Sequence, residues 1–254
     1  MLKKLLLPVL LCSASVALAA PQRTTLTTEN QFPELGHAEV GYDYTHREFS
    51  QNSRHEGFKY GTHEVFARVG VVDNLTLRLH APINSYKPDY GKSQNGFGDF
   101  RAGLDLVAYQ DVFSFPYVIP HADVSFSTGD EDKNLGSGET SYRFGVAIGT
   151  KTHEMFSWVL DVSYEANHDS KTTDEDDIFE VAFSWMWELS EQFTLNIEAL
   201  VQDYQDTDNQ PYLIGGGFSY KWTPAFQTRF FMGGWQSQES GEDLVFNANA
   251  SYSF

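Results

Sequence analysis

Cysteine is almost absent from this chain. The one example, Cys12, sits among the first dozen residues, so no disulfide can staple the rest of the protein. Long hydrophobic runs are missing too: beyond the N-terminal stretch no segment approaches the 18 apolar residues of a membrane-spanning helix, and a helical membrane protein is excluded. Basic charge is scarce, with 17 Lys and Arg against 35 Asp and Glu, and a formal charge of -18 repels nucleic acid. There is no Gly-x-Ser-x-Gly, no His-Glu-x-x-His, and the eight histidines are scattered.

What is present begins with a leader. Lys3 and Lys4 precede an apolar core from Leu5 to Leu11 and the small-residue run Ala17-Leu18-Ala19, which reads as a secretory signal peptide over residues 1–19. Lipidation at Cys12 is the alternative processing, disfavoured by the bulk of Leu11 before it. Loss of the leader removes Cys12 and two lysines, leaving 15 basic residues against 35 acidic ones, a formal charge near -20. Aromatics make up 15% of the chain, with 20 Phe, 13 Tyr and 5 Trp, more than a sheet needs for an aqueous core. Lipid-facing bands and aromatic girdles would use them.

From about Gly36 the sequence falls into twelve short stretches of period-two alternation. In the last, Leu244, Phe246, Ala248, Ala250, Tyr252 and Phe254 share one face and Val245, Asn247, Asn249, Ser251 and Ser253 the other. Phe179, Val181, Phe183, Trp185 and Trp187 likewise alternate with Ile178, Glu180, Ala182, Ser184 and Met186; Phe193, Leu195, Ile197, Ala199 and Val201 alternate with Thr194, Asn196, Glu198, Leu200 and Gln202. Short turns are expected at Asp73-Asn74, Gln110 to Ser114, Lys151 to Met155, Ser190 to Gln192 and Thr223-Pro224. Longer polar connections fall between them, at Ser50 to Gly57, Asn84 to Gly96, Thr128 to Gly138, His168 to Asp176, Gln205 to Gln210 and Gln236 to Asp243.

Strict alternation of short and long connections predicts an all-β fold: an up-and-down antiparallel transmembrane barrel of about twelve strands over residues 36–254, both termini periplasmic. A water-soluble lipocalin-like barrel is the competing architecture, but its outward face would be polar. Residues 20–35 lack the pattern and are expected to form a periplasmic leader or a small plug.

Two stretches, Gly96 to Gly103 and Ser127 to Gly138, carry a family resemblance, flanked by Gly70 to Leu77 and Tyr142 to Ala147. Over about Val65 to Ala166 the chain resembles the outer-membrane transporter family of the phenol meta-cleavage (MetA) degradation pathway. The resemblance implies a barrel and passage of small aromatic or hydrophobic compounds. The terminal Phe254 looks like the signal read by the barrel-insertion machinery of such proteins.

If the aromatic face meets lipid, the opposite face lines the lumen. Arg68, Arg78, Arg101, Arg143 and Arg229 fall inward, as do Asp161, Glu165, Glu180, Glu188 and Glu198 on the seventh to ninth strands. Such a separation predicts a transverse field that selects solutes. Alternatively the charges pair across neighbouring strands and fill a closed interior, a reading supported by Asp99, Arg101 and Asp105 on one strand and Glu39 and Asp43 on the first. Twelve strands lie between the filled interior of eight and the open channel of sixteen, so a narrow pore for small molecules is expected.

The long connections carry Asp130, Glu131 and Asp132, then Asp169 and Asp174 to Asp177, then Asp206 and Asp208, and finally Glu239, Glu242 and Asp243. This acidic rim could collect divalent cations that bridge outer-leaflet lipopolysaccharide phosphates. Asp130, Asp132 and Asn134 open like a calcium loop, but the glycine is at 136 and no acid stands at 141, so no dedicated metal site is assigned. A lipid-modifying enzyme would draw on His80, His121 or His168 with Ser125 or Ser163, none of which forms a motif. The expectation is a channel for small-molecule solutes with no cofactor and no nucleic-acid partner; the alternative is a non-conducting surface barrel.

Overall fold

The computed structural model describes residues 22–29, 35–50, 57–111, 115–168, 176–205, 210–237 and 241–254. The signal-peptide expectation for residues 1–19 lies outside them, as do Asp169, Asp174, Glu175, Asp206, Asp208 and Glu239.

Fourteen strand segments make up the chain in order: β1 (Ala38–Phe49), β2 (Phe58–Val72), β3 (Leu75–Pro88), β4 (Gln94–Phe97), β5 (Phe100–Leu106), β6 (Tyr109–Gln110), β7 (Tyr117–Phe126), β8 (Ser141–His153), β9 (Phe156–Ala166), β10 (Ile178–Glu188), β11 (Phe193–Tyr204), β12 (Tyr212–Lys221), β13 (Phe226–Ser237) and β14 (Gly241–Ser253). β4 and β5 both pair with β3, and β6 pairs with β7, so these three segments form one interrupted stave. The wall therefore has twelve staves, all antiparallel to their neighbours. β1 pairs with both β14 and β2, which closes the ring and leaves no open hydrogen-bonding edge.

Period-two alternation decides which side chains face out. Phe144, Phe183, Trp185, Ile197, Ile214, Phe230, Met232 and Tyr252 are exposed on the outer surface, while their neighbours Ala147, Ala182, Ser184, Met186, Glu198, Leu213, Phe231 and Asn249 are buried inside. An apolar belt this continuous is what a bilayer requires of the outside of a barrel. Aromatic rings gather towards the two rims. Trp187 stacks on Phe156 at 5.5 Å and Tyr220 meets Trp222 at 4.7 Å near the short turns, with Tyr142, Tyr164, Phe179 and Tyr212 near the long loops. Placing Arg at Ile197, 62% exposed in mid-strand, should cost about 2–4 kcal/mol. Reversible urea unfolding in lipid vesicles measures it, and a loss below about 0.5 kcal/mol would mean this face does not meet hydrocarbon.

Two expected long connections are largely ladder. Asn84 to Pro88 continue β3, Gln94 to Phe97 form β4, and Gln236 and Asp243 are paired in β13 and β14. Where strands rise past the apolar belt both faces meet water, so the apolar-polar alternation ends while backbone pairing continues. Polar composition alone marks the end of the belt, not the end of the strand.

Candidate functional site

Residues 22–29 enter the barrel and cross its lumen. The N–H of Thr25 donates to both carboxylate oxygens of Glu198 at 2.9 Å, and the N–H of Leu26 donates to Glu198 Oε2 at 2.7 Å. Thr28 donates its N–H to Asp161 Oδ2 at 2.8 Å, and the hydroxyl of Thr27 donates to Ser184 Oγ at 3.0 Å. Ser184 and Asn196 donate to the same Glu198 carboxylate. Arg23 pairs with Glu29 at 3.0 Å and with Glu188, and Gln22 meets Arg68. Polar main chain in a lumen must find partners, and these wall carboxylates supply charge-assisted ones. Glu198, read as a selectivity group, is fully buried and instead holds this segment; Asp161 serves the segment and His121 Nε2, the latter at 2.8 Å.

The inward charges do not stand opposed across an open lumen, as a transverse field would have them; among the described residues they pair with near neighbours. Arg78 reaches Asp105 at 3.0 Å and Asp123 at 2.9 Å; Arg143 reaches Glu165 at 2.6 Å and Glu180 at 3.3 Å. Arg68 meets Glu39 at 3.4 Å, Arg229 meets Asp43 at 3.6 Å, and Arg101 shares Glu64 with His80. Opposite charges one or two staves apart in a partly desolvated lumen lower their energy more by contact than by standing across a water-filled gap. Gly103 makes one pairing possible: it lies between Arg78 and Asp123 in register, and a Cβ there would collide with the Asp123 carboxylate.

Above the segment lies a cavity of about 890 Å³ reaching towards the long-loop end. Arg68, Arg78, Arg101, Arg143, Arg229, Asp99, Asp161 and Glu180 line it, whereas Glu165 and Glu198 stand behind it on Arg143 and the segment. One wall is charged. The other is apolar: Leu200, Leu213, Phe231 and Val245 form a cluster with Ala182, against which Leu26 and Trp235 pack. Towards the short-turn end, Tyr117, Ile119, Val159 and Met186 are buried in a second cluster that fills the lumen beside β7 to β10.

The connection from Ser127 to Thr140, expected as part of a solvated acidic rim, turns inward. Asp99 Oδ1 accepts the N–H groups of Thr128 at 3.0 Å and Gly129 at 2.8 Å, and Oδ2 accepts that of Ser137 at 2.6 Å. Asn84 Nδ2 donates to the carbonyl of Leu135 at 2.7 Å, and Leu135 is buried against the cavity. In the same connection Asp130 is engaged by Lys133, and Asn134 adopts a left-handed φ of 56° and lines the cavity. Among the described residues no cluster of three or more His, Cys, Asp or Glu could hold a metal ion, Asp130 and Asp132 included. At the rim, Asp177 accepts the Tyr164 hydroxyl and the Asn167 N–H, the latter at 2.9 Å, and these bonds hold its carboxyl below the usual range.

His80 bonds Glu64, His121 bonds Asp161 and His168 meets the Tyr142 ring; among the described residues neither Ser125 nor Ser163 hydrogen-bonds a histidine. Phe254 ends the ladder, exchanging main-chain bonds with Ala38 at 3.0 and 2.9 Å, its ring exposed outward. Arg47, Glu64, Asp123, Trp235 and Leu135 are cavity residues beyond the expected set. Alternation through Glu39 and Asp43 puts Arg47 on the inner face and could have revealed it. The Arg47 guanidinium lies 5.8 Å from the Trp235 ring centroid.

Known structures share this architecture. The COG4313 outer membrane channel from Pseudomonas putida F1 superposes with a TM-score of 0.73 at 14% identity, covering 87% of this chain and 96% of that one. The NanC porin gives 0.59 at 12%, covering 85% and 98%, and the CymD monoaromatic hydrocarbon channel gives 0.54 at 10%, covering 88% and 89%. At such identities the likeness establishes the fold. No curated protein sequence matches the chain. A family model does match, across residues 31–254 and so over the whole barrel wall, and the chain belongs to the family described as "Putative MetA-pathway of phenol degradation".

Proposed function

We propose that this protein is an outer-membrane channel giving passive passage to small, partly apolar molecules, aromatic compounds among them. The observation that carries the proposal is the two-sided cavity, charged on one wall and lined on the other by Leu200, Leu213, Phe231, Val245 and Trp235, with residues 22–29 as its floor. A pore for sugars or salts has no use for an oily wall, whereas a solute with an apolar body gains by leaving water for it. Paired inner charges keep the opposite wall polar without a strong net attraction for ions. The loop end would face lipopolysaccharide, the short turns and both termini the periplasm, and Phe254 would serve the insertion machinery. Membership of a family named for phenol degradation and the likeness to CymD, a monoaromatic hydrocarbon channel, agree with an aromatic solute.

Expression in a Gram-negative host stripped of its general porins should raise the uptake of labelled phenol several-fold at low external concentration, with labelled sucrose remaining at the background rate. Sucrose entering as fast as phenol would replace this reading with that of a general aqueous pore.

A further inference from the structure

Among the described residues six arginines project from the barrel wall into the lumen, and five of them, Arg68, Arg78, Arg101, Arg143 and Arg229, have a carboxylate within ion-pair distance. Arg47 has none among the described residues. It projects from the loop-end half of β1, lines the cavity and is exposed, with its guanidinium carbon over the Trp235 ring. Its register partner on β14 is Val245, a member of the apolar cluster, and its partner on β2 is Tyr60, another cavity residue. Among the described residues Arg47 is thus the inward arginine with no carboxylate at ion-pair distance, and it borders an oily wall.

We infer that the cavity is a binding site for an amphipathic monocarboxylate, its carboxylate on Arg47 and its aromatic or alkyl body against Leu200, Leu213, Phe231 and Val245. This rests on the passage of partly apolar solutes proposed above and names a substrate class for the same cavity. A planar guanidinium presents two parallel N–H donors to a carboxylate, and the Trp235 ring beside it is a further apolar surface for the body of such a ligand. A monoanion is favoured over a dianion because, among the described residues, the other inward arginines are committed to the protein's own carboxylates. Among the described residues a cationic solute finds no equivalent partner: Asp43 meets Arg229 and Asn247, Asp123 meets Arg78, and Asp99 is filled by Thr128, Gly129 and Ser137. A cavity of about 890 Å³ is ample for a ligand of one ring or a short alkyl chain.

Calorimetric titration of the detergent-solubilised full chain at pH 7 with benzoate, and with benzyl alcohol as a neutral ligand of similar size, tests this. Benzoate should bind at least about tenfold more tightly, a difference of about 1.4 kcal/mol. In Arg47→Gln the preference should vanish, and Arg47→Lys should keep part of it. Equal affinities in the unaltered chain, or a preference that survives Arg47→Gln, would overturn the carboxylate site while leaving the passage reading intact. Binding of neither compound would overturn both.

Discussion

Deleting residues 22–29 should raise single-channel conductance in planar bilayers several-fold above that of the full chain, with briefer closures. The segment occupies the lumen between the cavity and the apolar cluster of Tyr117, Ile119, Val159 and Met186, so ions must pass what space it leaves. Apart from its continuity with the chain that leads to β1, it is held by Glu198, Asp161 and Ser184, with Glu188 and Arg68 engaging Arg23 and Gln22. Glu198→Gln should produce part of the effect. The neutral amide keeps one acceptor oxygen for the N–H groups of Thr25 and Leu26 and turns the other position into a donor facing them. Losing a charge-assisted bond costs about 2 kcal/mol, which corresponds to a roughly 30-fold larger open population. Heat-modifiable gel mobility reports whether each variant still forms the barrel. Unchanged, near-zero conductance in both folded variants would favour a non-conducting surface barrel and remove the channel proposal.

Arg78→Met should be among the most destabilising substitutions in the lumen. Arg78 is the shared partner of Asp105 and Asp123, all three mostly shielded from solvent. Removing the cation leaves two carboxylates facing one another, a cost on the order of 3 kcal/mol in equilibrium unfolding. The triple variant Arg78→Met, Asp105→Asn, Asp123→Asn should recover most of that loss, since the expense lies in unpaired charge and not in the absence of a salt bridge. A single variant within about 0.5 kcal/mol of the unaltered protein would show that lumen water already screens these groups.

The two substitutions probe features of unequal legibility. That Arg78 and Glu198 face inward follows from strand alternation, and every outward aromatic stretch assigned from the pattern faces outward in the barrel. That Arg78 meets Asp123 could not be read off, since the contact crosses an intervening stave and depends on Gly103 having no side chain. The fate of Glu198 was further out of reach. Its partners, Thr25 and Leu26, are more than 170 residues away and belong to a stretch with no periodicity, where main-chain N–H groups, identical in every residue but proline, make the contact. The inward turn of Ser127 to Thr140 was hidden for a similar reason: its acidic residues suggest a solvated rim, while the bonds that fold it inward run from backbone N–H groups to Asp99.

Local order along the chain was enough to indicate a closed β wall, the number of its staves and the lipid or lumen side of the residues in its clearest alternating stretches, because a period of two is a property of single strands. Which charges pair, where the cavity lies and what forms its floor emerged only once the staves had closed into a ring. Those contacts join residues far apart in the chain through register and shear, and a lone guanidinium such as that of Arg47 becomes visible only when every neighbouring carboxylate has found its partner.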